Sequence, residues 1–76
     1  MMTNDPIRMY EALDWIQQTH IAASGVLPPI LVDHIAMHGD PAARMALAMR
    51  DDLTERARLA LAVDPNPQVR ANLRHA

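Results

Sequence analysis

Three places in this 76-residue chain put a capping residue directly before a proline: Asp5-Pro6, Asp40-Pro41 and Asn66-Pro67. The side-chain oxygen accepts a backbone N–H that the first helical turn leaves without a partner, and proline has no N–H to leave unpaired. Asp52-Leu53-Thr54-Glu55 reads as a capping box with an acidic cap. Pro28-Pro29 opens another segment, and Gly25 and Gly39 stand where helices stop. No stretch alternates with period two, so no strand is expected. This punctuation predicts an all-α chain of five short helices, at about Pro6–Ser24, Pro28–His38, Pro41–Arg50, Leu53–Val63 and Pro67–His75. The links are short, so neighbouring helices should fold back on each other as hairpins.

The material for a core is narrow. Half of the residues are apolar, but Phe is absent and Trp15 and Tyr10 are the only aromatics. The interior must therefore be built from Leu, Ile, Val, Ala and Met. A single domain spanning 1–76 buries a modest share of its surface, so it leans on tight helix packing or on association. With no cysteine, disulfides, thiolate chemistry and zinc–thiolate or iron–sulfur sites are excluded, and no cofactor is expected. No apolar run approaches the roughly 18 residues that cross a bilayer. The start, MMTNDPIR, lacks a signal peptide's basic and apolar stretches, so the expectation is a cytoplasmic protein with no membrane partner.

A shift of 26 residues lays 27–50 on 53–76. Identities fall at Leu27/Leu53, Ala36/Ala62, Pro41/Pro67, Arg44/Arg70 and Leu47/Leu73, and similar residues at Ile35/Leu61, Met37/Val63, Asp40/Asn66 and Ala43/Val69. They occupy the cap–proline step, the following Arg and the apolar positions that a stacked helix pair requires, which is the pattern of a solenoid. Leu27-Pro28-Pro29-Ile30-Leu31-Val32-Asp33-His34-Ile35-Ala36, followed by Gly39-Asp40-Pro41-Ala42-Ala43-Arg44, resembles the leucine-rich repeat variant family. So does Leu61-Ala62-Val63-Asp64-Pro65-Asn66-Pro67-Gln68-Val69-Arg70, and HEAT-like repeats share its turn. The resemblance covers residues 26–76. It implies an N-terminal capping helix (6–24) followed by two helical-hairpin repeats (27–50 and 53–76), and it implies no particular activity. The second copy lacks the Pro-Pro pair, and the first has His38-Gly39 where the second has Asp64-Pro65. In such repeats the matched Arg44 and Arg70 tie one turn to the next through an acid or a helix C-terminus.

As one continuous helix, residues 6–24 would put Met9, Ala12, Leu13, Ile16, His20 and Ala23 on a single face, to pack on the repeats as a cap. Trp15 falls outside that stripe with Glu11, and Tyr10 lies on the opposite flank beside Asp14. A large aromatic off the core stripe is a rim residue or an interface anchor, since Trp, Tyr and Arg are the commonest binding hot spots.

Chemistry is hard to find. His34 and His38 are four apart and could face one ligand, but position 35 is Ile where a zinc protease motif has Glu, and no third ligand has recognisable spacing. They remain the sole metal candidates, and the plainer reading puts His34 toward solvent and His38 at a helix end. Ser24, Thr3, Thr19 and Thr54 lack a recognisable catalytic setting. Asp51-Asp52 reads as helix capping. The two glycines make no phosphate loop. No catalytic residue is assigned, and no enzyme is expected.

Charge divides the chain. Residues 1–40 hold Asp5, Glu11, Asp14, Asp33 and Asp40 against Arg8; residues 41–76 hold six Arg against four acids, and Lys is absent. Arg50, Arg56, Arg58 and Arg74 could grip a nucleic-acid backbone, although Asp51, Asp52, Glu55 and Asp64 interrupt them and one Trp makes no stacking series. The favoured expectation is a non-catalytic protein-binding module: an adaptor, or a small inhibitor of the kind that phages and mobile elements also encode, occluding a larger protein. Trp15, Tyr10, Glu11 and Asp14 would face that partner. Val69 and Leu73 would form an open C-terminal end, covered by the partner or by homodimerisation, with Met37, Met45 and Met49 as adaptable apolar surface.

Overall fold

Five of the six helix starts in the computed structural model, which describes residues 5–73, are set by a local side-chain cap. Asp5 accepts from the Ile7 amide at 3.0 Å and opens α1 (Pro6–Glu11). Asp14 opens α2 (Trp15–Ala23) through a reciprocal pair: the Gln17 amide donates to Asp14 Oδ1 at 2.8 Å, and Gln17 Oε1 accepts from the Asp14 amide at 3.2 Å. α3 (Pro29–His38) begins after Pro28 without a side-chain cap. Asp40 opens α4 (Pro41–Ala48), Thr54 opens α5 (Glu55–Ala62), and Asn66 opens α6 (Pro67–Asn72). Among the described residues all regular structure is helical.

Two of the expected boundaries are corrected. The helix expected over 6–24 is two helices, giving six rather than five. The Asp14 carboxylate and the Gln17 amide together satisfy backbone groups better at a new helix start than within a continuing helix. The cap of α5 is Thr54, not Asp52, because the Asp52 carboxylate is held by Arg50 at 2.8 Å through each of two nitrogens.

The six helices form three hairpins, α1–α2, α3–α4 and α5–α6. They stack so that α1, α3 and α5 make one layer and α2, α4 and α6 the other. The stack is elongated, 41 × 22 × 19 Å. Its seam is filled by Ile35, Leu47, Leu61, Val32 and Val69, all wholly or almost wholly buried. The buried residues of α2 and α4 are Ala22, Ala43, Leu47 and Ala48, and the three alanines let neighbouring helices approach closely.

Polar ties hold the stack in register. Arg44 donates from Nε and Nη2 to the buried Asp64 carboxylate of the next hairpin, at 2.7 and 3.3 Å, and from Nη1 to the Gly39 carbonyl at 2.6 Å. This bidentate geometry pairs a buried charge and closes the end of α3 at once. Arg70 also donates to a carbonyl near the preceding helix end, that of Asp64, and Gln18 reaches back to the Tyr10 carbonyl at 2.9 Å. The Thr54 hydroxyl donates to Asp33, and the Asn72 side chain donates to the Met45 carbonyl at 3.2 Å. Gly39 is required where α3 ends, because a Cβ there would lie 2.7 Å from the Ile35 carbonyl oxygen.

Candidate functional site

Asp14, Asp40 and Asn66, the caps of α2, α4 and α6, are spaced by the same 26 residues. Equivalent positions of the three hairpins can therefore be compared directly. Met9, Ile35 and Leu61 are equivalent; so are Ile21, Leu47 and Leu73. Ile35, Leu61 and Leu47 are wholly buried and Leu73 almost so, whereas Met9 is 61% exposed and Ile21 only partly buried. Each later hairpin has the helices of the hairpin before it alongside, α1 beside α3, α2 beside α4, α3 beside α5 and α4 beside α6, and among the described residues the first hairpin has nothing before it.

The result is an apolar surface at this end. A groove of about 400 Å³ runs over Pro6, Met9, Tyr10, Leu13 and Ile21 of the first hairpin and on to Leu27 and Leu31 at the start of the second. A second hollow of about 370 Å³, lined by Leu13, Ile16, Gln17, His20 and Ile21, adjoins it. Ile16 is largely exposed. Gln17 stands where the later hairpins bury Ala43 and Val69, and its side-chain oxygen is turned to the Asp14 amide. Trp15, the first residue of α2, is 62% exposed.

The expected cap stripe is overturned with the helix that carried it. Met9, Ala12, Ile16, His20 and Ala23 are exposed, and Ile7, Tyr10, Gln18, Ile21 and Ala22 turn inward. A break at residues 12–14 resets the helical phase, so one projection no longer describes both halves. Tyr10 is accordingly not a flank residue but a buried one, edge-on to the His34 ring at 6.2 Å. Its hydroxyl lacks a hydrogen-bond partner. Burial, with the carboxylates of Asp40 and Glu11 adding to it, pushes the phenol up to about 12.

The other candidates separate in the same way. Glu11 is committed to a contact with His34 Nε2 at 2.6 Å, which ties α1 to α3. His34 is therefore largely covered rather than turned to solvent. His38, exposed at the helix end, meets the His34 ring at 5.2 Å. No group of three metal-ligating side chains is assembled among the described residues. Asp14 is a helix cap. Val69 and Leu73 do not form an open end: both are buried in the chain's own core, because α6 lays them on α4.

Arg50 is not a spare cation. It donates to the carbonyls of Ala22 and Gly25 at 3.2 and 2.5 Å and also holds Asp52. Gly25 sits at φ +76°, the left-handed conformation that glycine adopts without strain. Hydrogen bonding to Asp52 raises the Arg50 guanidinium above its usual range, and the same bond lowers the Asp52 carboxyl. Arg56 is exposed and Arg58 partly buried, while Arg74 lies outside the described residues. Of the hydroxyls, Thr19 donates to the Trp15 carbonyl, Ser24 to the His20 carbonyl, and Thr54 to Asp33; Thr3 lies outside the described residues.

No described helix is long and apolar enough to cross a membrane. Sequence reasoning missed the end face, yet its signal was present: the 26-residue period carried one step back from Asp40 lands on Asp14. Comparison with family models, with curated proteins and with solved structures finds no match to this chain.

Proposed function

We propose that this chain is a short α-solenoid of three repeats resembling the leucine-rich repeat variant and HEAT-like families, and that it acts as a non-catalytic protein-binding module. The observation that carries the binding reading is the contiguous apolar surface over the first hairpin and the link that follows it, Met9, Leu13, Ile16, Ile21 and Leu27, with the exposed Trp15 next to Ile16 in α2. Contiguous exposed apolar surface and large exposed aromatics are what protein partners cover. The matched caps at 14, 40 and 66, and the side chains of Gln18, Arg44 and Arg70 at matched positions, each donating to a carbonyl at or near the end of the preceding helix, support a third repeat in place of a separate capping helix. Nucleic-acid binding is the less favoured reading, because Arg44 and Arg50 are engaged within the fold.

The experiment is capture of cellular proteins by the purified chain, compared with Ile16→Glu and Trp15→Ala. Both positions are exposed, so both variants should keep the helical circular dichroism of the parent. A partner retained by the parent and lost by the variants is the expected result. Capture that ignores both substitutions, or an affinity for duplex DNA that falls steeply with salt, would sink the reading.

A further inference from the structure

The end face has a counterpart at the other end of the stack. Positions that point toward the following hairpin are Ile7, Asp33 and Leu59, and likewise Tyr10, Ala36 and Ala62. The first two of each set are covered: Asp33 bonds to Thr54 of the next hairpin, Ala36 is buried, Ile7 is partly buried and Tyr10 is buried. In the third hairpin the same positions lie open. Leu59 is 59% exposed, and Ala62 is exposed. Both junctions between described hairpins join a forward-facing surface to a backward-facing one, and among the described residues the two open ends of the stack are one of each kind.

Charge agrees with this polarity. The first hairpin holds Asp5, Glu11 and Asp14 against Arg8, while the last holds Arg56, Arg58 and Arg70 against Glu55 and Asp64; Glu11 contacts His34 and Asp64 pairs with Arg44, which leaves the sign of each end unchanged. Like ends would therefore repel, and unlike ends attract.

Resting on the protein-binding reading above, we propose that the occupant of the first hairpin's apolar face is the third hairpin of a second copy of this chain, stacked head to tail as a continuation of the solenoid. Leu59 and Ala62 of one copy then cover Met9 and Ile21 of the next, as Asp33 and Ala36 of the second hairpin face the third. Such a contact is heterologous, so it does not stop at two copies unless it closes into a ring.

The test is light scattering on the purified chain over a concentration series, with Met9→Glu and Leu59→Glu. Both residues are exposed, and circular dichroism should confirm that each variant is folded. The average mass of the parent should rise past that of a dimer with concentration. Either substitution alone should weaken association by about tenfold or more, since each new junction would bury an unpaired charge. An equimolar mixture of the two variants keeps one intact head and one intact tail, so it should form a dimer and stop there. A parent that stays monomeric overturns the proposal, as does a discrete dimer indifferent to Leu59→Glu, which would pair first hairpins face to face. If the monomeric chain still captures another protein through Ile16, self-stacking fails while the protein-binding reading stands. If it captures nothing, both fail.

Discussion

The first and last hairpins place an apolar residue at the same position with opposite results. Leu61 in α5 is wholly buried, and its equivalent Met9 in α1 is 61% exposed. Both are large and apolar, and both sit on a helix of the same layer. What differs is the neighbour: α5 has α3 behind it, and among the described residues α1 has nothing there. In a stacked fold, burial is thus a property of the junction more than of the residue, because each layer of helices covers only its neighbours. The same rule, reversed, explains why Tyr10 is buried while Ala62 is exposed.

That comparison can be broken most forcefully at its polar tie. Arg44 and Gln18 are equivalent, but only Arg44 neutralises a buried acid. Arg44→Ala should cost about 3–5 kcal/mol, because Asp64 is left charged and uncompensated, whereas Gln18→Ala should cost no more than about 1 kcal/mol. Urea denaturation of the two variants measures the difference, and equal losses would mean that the Arg44 tie is no stronger than its neutral counterpart.

A smaller effect separates the two apolar positions themselves. Leu61→Ala should destabilise by about 2–5 kcal/mol through lost burial and a residual cavity. Met9→Ala should fall within about 0.5 kcal/mol in dilute solution. A large loss at Met9 would mean that its face is already covered under those conditions.

The smallest effect lies at Tyr10. Its phenol is held up at about 12 in the fold, against about 10 in the unfolded chain. The folded state therefore keeps its proton where the unfolded state releases it, and stability is present in full below pH 10 and lost as pH rises toward 12. Absorbance titration of tyrosinate should place the midpoint near 12. Tyr10→Phe should remove this alkaline loss and cost little near neutrality, since the hydroxyl has no partner to lose. A midpoint near 10 would place the ring in water.

Much of the fold was legible in the chain because it depends on local physics. Asp5, Asp40 and Asn66 each cap the helix that their following proline announces, since a cap needs only its own side chain and the next turn. The break at Asp14 is equally local. It was passed over because no proline follows it, and Trp15 reads as a continuation of the apolar helix. Once that break is missed, the phase error moves Tyr10 outward and Met9 inward, and the end face disappears from view. The Thr54 cap was assigned to Asp52 for a different reason. Besides holding Asp52, Arg50 bonds the carbonyls of Ala22 and Gly25 at and beyond the end of α2, and no capping rule reports either contact.

The chain's sequence by itself determines an all-helical stack: caps, prolines and the 26-residue period are written in neighbouring residues, and an interior without Phe must be made of small and aliphatic side chains. Tertiary structure decided the rest. It set Glu11 against His34, engaged Arg44 and Arg50 within the fold, buried Val69 and Leu73, and left Met9, Ile16 and Leu59 exposed. The reason is physical. Helix capping is an interaction over one turn, whereas burial and charge pairing depend on which hairpin lies alongside, and that is settled only when the stack is assembled.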